Sequence, residues 1–138
     1  AVVIDDYAHN IEKLAAAWTT LTNAFPEGVF GVWRPHGYAP LRKMLDGLTT
    51  MFSEVVRPCD RLFLLPVYDA GGTADRSVNS DTLLTRLQEV NCPVSMVADL
   101  AEAEVALRAL ATAGKALAIF GARDPGLPAL AQRLGTTH

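Results

Sequence analysis

Several features that mark specialised protein classes are missing from this 138-residue sequence. Cysteine occurs only twice, and Cys59 and Cys92 form no C-x-x-C pair, which favours a reducing compartment over a disulfide framework. No apolar run approaches the roughly 20 residues that a membrane-spanning helix needs, and no signal-peptide pattern opens the chain. We therefore expect a cytoplasmic protein without a membrane partner.

A basic surface and two common catalytic motifs are missing as well. Lysine and arginine are scattered along a chain of net charge -3, so the sequence offers no basic field for nucleic acid. It contains neither the G-x-x-x-x-G-K-[ST] loop that cradles nucleotide phosphates nor the G-x-S-x-G turn of serine hydrolases. Nucleic acid is therefore not an expected partner, and the isolated chain is expected to be inactive as an ATPase.

What the sequence does contain is the composition and alternation of an α/β domain. Hydrophobic residues make up 50% of the chain, and its length is close to the commonest domain size, so one domain is expected. The chain opens without methionine on strand-like Val2, Val3 and Ile4, which predicts a domain of a longer protein. Strand patterns occur at about 2–7, 29–34, 61–68, 93–98 and 115–121, and helical patterns near 10–24, 40–56, 80–90, 100–113 and 125–134.

This alternation predicts the sheet architecture. Several of the strands are almost continuously apolar, as parallel strands are when helices cover both faces of their sheet. The predicted fold is a Rossmann-like, doubly wound, mostly parallel sheet with helices on both faces, in a single domain over 1–138. Ligands of such sheets bind beyond the carboxyl ends of the strands. The longest predicted loop, 69–79, contains Gly71 and Gly72, and a loop of that length is often functional.

Polar side chains follow the predicted strands at that edge. Arginine holds carboxylates and phosphates through paired hydrogen bonds, whereas aspartate accepts from ribose hydroxyls or holds a metal through water. Two histidines on neighbouring strand ends indicate a site more than they indicate a core. The structural alternatives are a turn and a helix cap for the aspartates and a solvated surface for the arginines. The candidates are Asp5, Asp6, Tyr7, His9 and Asn10 after the first strand, Arg34, His36, Tyr38 and Arg42 after the second, and Arg123 after the fifth.

These segments resemble the C-terminal domain of the Mur ligase family. Val3 to Asn10 is similar to that family's D-D-Y-[GA]-H-[HN] segment, and Arg34 to Arg42 is similar to its Q-P-H-R-Y-T-R-T-R segment. Leu65 to Gly71 is similar to L-x-V-Y-x-A-G, and Gly121 to Asp124 falls where the family has G-A-G-N. The segments occur in the family's order and span nearly the whole chain.

The resemblance implies a function as well as a fold. It implies the C-terminal domain of a three-domain ligase, joined in one polypeptide to a UDP-sugar-binding domain and a central ATPase domain that binds most of the ATP and Mg²⁺. The implied reaction is ATP-dependent formation of an amide between a UDP-muramoyl carboxylate and an amino acid in peptidoglycan synthesis. The implied roles are catalysis for His9, nucleotide binding for Asp5 and Asp6, and substrate binding for Tyr7, Asn10, His36, Tyr38, Arg42 and Arg123.

The resemblance is incomplete where the amino acid is expected to bind. Gly37 and Pro40 stand where the family segment has arginines, and losing two charge-assisted donors should cost about 1.5 to 3 kcal/mol each. One hypothesis is that Arg123 supplies the missing charge. A second is a divergent Mur-like paralogue that joins another amine.

A signalling receiver domain is the alternative from another class. Receiver domains also have five βα units, and Asp5, Asp6 and Asp69 match their acidic residues superficially. A receiver needs a lysine at the carboxyl end of the fifth strand, however, and Lys115 lies at the beginning of the predicted strand. The ligase interpretation therefore explains more of the sequence.

Overall fold

Five parallel strands form the sheet in the computed structural model, which describes residues 1–69, 72 and 74–136. The strands are β1 (Val2–Asp6), β2 (Val29–Trp33), β3 (Arg61–Leu64), β4 (Val94–Met96) and β5 (Ala116–Phe120). The helices are α1 (Ile11–Ala24), α2 (Tyr38–Val55), α3 (Ser80–Glu89), α4 (Leu100–Leu110) and α5 (Gly126–Thr136). No helix in these ranges is both long enough and apolar enough to cross a membrane.

The predicted Rossmann-like α/β fold is confirmed, and only the element ends differ. The third strand was expected to reach residue 68 but ends at Leu64. Pro35 and Pro66 lack an N–H, so the regular ladder between β2 and β3 stops there, and only isolated bonds such as Tyr68 N–H to Pro35 O at 2.9 Å continue it. Gly71, which belonged to the predicted loop and to the family-like segment, lies outside the described residues.

The last strand lies inside the sheet. The strand order is β1-β5-β2-β3-β4, so β5 pairs with β1 on one side and with β2 on the other. The register aligns Phe120 with both Asp6 and Trp33, which brings the carboxyl ends of these three strands to the same level. Apolar residues of α1, α2 and α3 pack on one face of the sheet, and those of α4 and α5 pack on the other.

A glycine lets α1 approach the centre of the sheet. The indole of Trp18 is fully buried and stacks on the ring of Phe120, with centroids 5.9 Å apart and planes inclined by 30°. Gly31 lies beneath this pair, and a Cβ atom there would come within 2.5 Å of the Trp18 ring. The close contact between α1 and the sheet therefore requires a glycine at position 31, because any side chain there would collide with Trp18.

A buried carboxylate ties the opposite, amino end of the sheet together. Asp60 accepts hydrogen bonds from the N–H groups of Val29 at 2.9 Å and Arg57 at 2.8 Å, and from the Trp18 indole at 3.3 Å. The Arg57 guanidinium pairs with the same carboxylate at 2.9 Å and donates to the Phe25 carbonyl at the end of α1. Burial alone would raise the pKa of Asp60, but the hydrogen bonds from Arg57, Val29 and Trp18 outweigh it and leave the pKa below its usual value.

Removing this carboxylate should destabilise the fold. We expect Asp60→Ala to lower the free energy of unfolding by about 3 kcal/mol, because it leaves Arg57 and the Val29 N–H without their partner. Because the folded-state pKa is depressed, this stabilisation is present above the unfolded pKa and disappears as the pH falls through the folded one. Urea denaturation between neutral and acidic pH measures both effects. Asp46→Ala is the control, since the exposed Asp46–Arg86 pair should contribute less than about 1 kcal/mol.

Filling the space beneath Trp18 should also be costly. We expect Gly31→Ala to lower the free energy of unfolding by about 1–3 kcal/mol, because the new methyl group overlaps the indole. In the matched control Gly135→Ala, the added Cβ meets no described residue outside its own helix nearer than Val3 at 4.0 Å, and the helix gains up to about 1 kcal/mol. Equal effects of the two substitutions in thermal or urea denaturation would contradict this account of the packing.

Candidate functional site

The carboxyl ends of β1, β5 and β2 form the centre of the candidate site. After β1 and β2 the chain turns into α1 and α2 on one face of the sheet, whereas after β5 it turns into α5 on the other. Neighbouring strands whose connections leave in opposite directions open a crevice, and this is where sheets of this type bind ligands.

Two histidines meet in this crevice. The rings of His9 and His36 are 5.2 Å apart and nearly perpendicular. His9 also contacts the edge of the Tyr7 ring at 5.9 Å, and its Nδ1 lies 3.1 Å from the Tyr7 carbonyl oxygen. Tyr7 itself is 71% exposed. The two histidines were expected on neighbouring strand ends. That expectation is wrong about the strands, because β5 lies between β1 and β2, but the two rings still meet.

The surroundings of His36 favour its neutral form. Partial burial lowers the pKa of His36, and the charges of His9 and Arg123 lower it further. The ring nitrogen Nδ1 is buried and has no hydrogen-bond partner among the described residues. The same is true of Trp33 Nε1 and Arg34 Nε, so three such nitrogens fall within residues 33–36, at the end of β2. Buried polar atoms of this kind are uncommon in proteins and are frequent at functional sites.

A cleft beside β5 holds an arginine that is available to a ligand. It has a volume of about 280 Å³ and is lined by Asp5, Tyr7, Pro128 and the turn 121–125. Arg123 is exposed in this cleft, and its charge acts on His36. Within the described part of the chain, no carboxylate lies within ion-pair distance of Arg123. Its guanidinium can therefore bind an incoming anion.

The two adjacent aspartates point to opposite faces of β1, because successive side chains of a strand alternate. Asp5 lines the cleft beside α5, whereas Asp6 lines a groove beside α1 with Lys13. Asp6 accepts the Ala8 N–H at 2.8 Å, so one of its oxygens serves the turn into α1. Across the described ranges, no three His, Cys, Asp or Glu side chains cluster as metal ligands do.

Three other predicted residues have structural contacts. Asn10 caps α1, and its side-chain oxygen accepts the Lys13 N–H at 2.9 Å. Tyr38 donates to Asp69 at 3.5 Å, and Arg42 pairs with Asp75 at 3.5 Å, so both contact the segment that follows β3. The structure thus brings Asp5, Tyr7, His9, His36 and Arg123 together around β1, β5 and β2, whereas Tyr38 and Arg42 contact acidic residues.

One charged pair at the site was not predicted. Arg34 was noted as a possible anion-binding residue, but its Nε lies 3.1 Å from Oδ2 of Asp124, and both side chains are at least four-fifths buried. The position of Asp124 two residues before α5 is a turn signal. That signal does not reveal the partner Arg34, which follows β2 and is distant from Asp124 only in the sequence.

The position of Lys115 argues against a receiver domain. Lys115 immediately precedes β5, and its ammonium lies over the Phe30 ring, 5.5 Å from the centroid. Both features put the amine at the amino end of the sheet, away from Asp5 and Asp6. Asp69, the third acidic residue of that alternative, is paired with Arg76.

Comparison with known proteins links this geometry to one family. Residues 1–123 match the family model described as Mur ligase, glutamate ligase domain. A UDP-N-acetylmuramate--L-alanine ligase of Synechococcus sp. (strain RCC307) is 27% identical over 136 residues, which cover 89% of this chain and 27% of the relative. The ligase of the same name from Sinorhizobium medicae (strain WSM419) is 31% identical over 88 residues, which cover 64% of this chain and 18% of the relative. The chain therefore spans about a quarter or less of these relatives.

A solved structure has the same fold. It is a domain described as part of a UDP-N-acetylmuramate:L-alanyl-gamma-D-glutamyl-meso-diaminopimelate ligase from Haemophilus ducreyi 35000HP. The TM-score is 0.63 at 18% identity, and the match covers 97% of this chain and 88% of that one.

The electrostatics of the histidine pair can be tested by titration. We expect an NMR titration to give His36 a midpoint below that of the same residue in the urea-unfolded chain, because burial, His9 and Arg123 all oppose its protonation. The folded state binds the His36 proton more weakly than the unfolded chain does. The free energy of unfolding should therefore decrease as the pH drops through the unfolded-state pKa of His36. His9→Gln should raise the midpoint. An unchanged midpoint in His9→Gln would show that the two rings do not interact as described, and a wild-type midpoint equal to the unfolded value would contradict all three causes.

Proposed function

The chain belongs to the Mur ligase, glutamate ligase domain family, and on that premise we propose that it is the amino-acid-binding, C-terminal domain of an ATP-dependent ligase. The proposed reaction joins a UDP-muramoyl carboxylate to an amino acid by an amide bond in peptidoglycan synthesis. The central ATPase domain that binds most of the ATP and Mg²⁺ would belong to the same polypeptide. The similar proteins from Synechococcus and Sinorhizobium medicae are all named UDP-N-acetylmuramate--L-alanine ligase, which supports this assignment.

One observation supports the proposal most directly. His9, His36 and Arg123 come from three different βα turns and converge at the crevice of the sheet. A cationic guanidinium beside two imidazole rings suits the two ends of an amino acid, because the guanidinium binds the carboxylate and an unprotonated imidazole accepts a proton from the amine.

We assign roles to the converging residues on this basis. Arg123 binds the carboxylate of the incoming amino acid, with His36 beside it. His9 accepts the proton that the amine releases as it attacks the activated carboxyl carbon and forms the C–N bond. ATP supplies that activation when it is bound, and phosphate is the leaving group. Asp5 and Asp6 have carboxylate oxygens that fit the ribose hydroxyls of the nucleotide.

Substrate contacts of the other predicted residues belong to the same proposal. Tyr7 is exposed at the cleft and can cover a bound amino acid. Asn10 can use only its amide nitrogen, since its oxygen caps α1. Tyr38 and Arg42 reach a substrate only if the acidic residues Asp69 and Asp75 give up their contacts.

A second candidate is a ligase of the same family that joins another amine. The observation that favours it is the combination of Gly37 and Pro40, which lack cationic side chains, with Arg123 on a different turn. A carboxylate bound by Arg123 would lie near β5, so an amino acid of different shape would be preferred.

The assignment of Arg123 is tested in the full-length ligase. We expect formation of the amide product and release of phosphate with UDP-N-acetylmuramate, ATP and an amino acid. Arg123→Ala should raise the KM for the amino acid roughly ten- to a hundredfold, because one charge-assisted interaction is lost, and should leave kcat nearly unchanged. The measurement is steady-state kinetics across the proteinogenic amino acids, L-alanine included.

Two controls make this result specific. Arg133→Ala removes a cation that pairs with Glu104 between α4 and α5, and it should leave KM unchanged. The 138-residue chain alone should release no phosphate from ATP, because it has no phosphate-binding loop. An unchanged amino-acid KM in Arg123→Ala would refute the role of Arg123, and ligation of another amine by the full-length protein would select the second candidate.

A further inference from the structure

The charged pair Arg34–Asp124 connects two of the three turns that build the site. Arg34 directly follows β2 and precedes His36 by two residues, whereas Asp124 directly follows Arg123 in the turn into α5. The Arg34 side chain is 16% exposed and that of Asp124 is 12% exposed, so water screens their attraction only weakly. Nε and Oδ2 are 3.1 Å apart without hydrogen-bond geometry, which makes the contact chiefly electrostatic.

Asp124 holds the α5 turn at the same time. Its Oδ1 accepts the Gly126 N–H at 2.8 Å, and its backbone carbonyl accepts the Leu127 N–H at 3.2 Å. One carboxylate oxygen therefore caps the helix while the other faces Arg34. The backbone of Arg123 is constrained because its neighbour is held at both oxygens.

Gly121 permits the close approach of the two turns. It has a φ of +150°, which side-chain-bearing residues rarely adopt. A Cβ at this position would lie 2.5 Å from Leu127 and 3.4 Å from the Arg34 carbonyl oxygen. Backbone bonds from Gly121 N–H to Asp6 and from Arg34 N–H to Phe120 complete the junction of β1, β5 and β2.

We propose that Arg34 is a positioning residue that acts through Asp124 to hold Arg123 beside His36, and that the pair thereby determines how tightly the amino-acid carboxylate is bound. The second part rests on the proposed function, whereas the first concerns the geometry of this chain alone. Arg34 does not need to touch the substrate in this arrangement. Its effect depends on an intact Asp124 and an intact Arg123.

The first part is tested by NMR titration of His36 in the 138-residue chain. Arg123→Ala should raise the His36 midpoint, because the repelling charge is gone. Arg34→Gln should raise it too, because the α5 turn and Arg123 with it are released. In the double variant Arg34→Gln/Asp124→Asn, two neutral side chains can hydrogen bond without leaving a buried charge unpaired, so the midpoint should return towards the wild-type value.

Two further variants keep the test decisive. Arg108→Gln breaks the Arg108–Glu104 pair between neighbouring turns of α4 and should leave the His36 midpoint unchanged. Asp124→Asn breaks the same charged pair from its other side and keeps an oxygen that can accept the Gly126 N–H, so it replaces Arg34→Gln if that variant does not fold. The proposal is overturned if the folded Arg34→Gln or Asp124→Asn variant titrates like the wild type while Arg123→Ala does not.

The second part is tested by kinetics of the full-length ligase. Arg34→Gln should raise the amino-acid KM by about the same factor as Arg123→Ala, with kcat within about twofold. The double variant Arg34→Gln/Arg123→Ala should be no worse than Arg123→Ala alone. Additive effects would mean that Arg34 acts independently of Arg123, which overturns the positioning role. If the protein joins no amino acid at all, the proposed function fails, while the titration result still decides the geometry.

Discussion

The position of β5 between β1 and β2 is the constraint on which the rest of the structure depends. A strand inside a parallel sheet pairs along both of its edges. The register of β5 aligns Phe120 with Asp6 on one side and with Trp33 on the other. Three turns separated by many residues in the sequence therefore end side by side. The same insertion reverses the direction of winding, which opens the crevice that holds His9, His36 and Arg123.

The two ends of the sheet are built for different purposes. At the amino end, the Asp60 carboxylate accepts hydrogen bonds from buried donors of Val29, Arg57 and Trp18, so each of these donors has a partner. At the carboxyl end, nitrogens of Trp33 and His36 are buried without hydrogen-bond partners among the described residues, and Arg34 Nε has an ion pair with Asp124 in place of a hydrogen bond. Satisfied networks stabilise a fold, whereas unsatisfied buried polar atoms cost free energy, and proteins commonly accept that cost at binding sites. The asymmetry agrees with a domain that is held together at one end and recognises ligands at the other.

The proposed charge compensation follows from the same geometry. Gly37 and Pro40, at the start of α2, lack the cationic side chains of the family segment. Arg123 instead places its charge near His36 from the turn that precedes α5. A cation from the turn after β5 can replace cations missing after β2, because β2 and β5 are paired in the sheet. An arginine that lies 83 positions after Pro40 in the chain is therefore not remote from it in the fold.

Much of this could be read from the sequence, because local patterns depend on local chemistry. Apolar runs and helical periodicity predicted all five strands and all five helices, and the strand-end positions identified His9 and His36, whose rings meet although β5 separates their strands. Partners that are distant in the sequence could not be predicted. The pairing of Arg34 with Asp124, the contacts of Arg42 with Asp75 and the Asp60 network all depend on strand order and register, which only the packed sheet decides. The sequence by itself determined which chemical groups are present and which elements carry them, and the tertiary structure decided which of those groups meet.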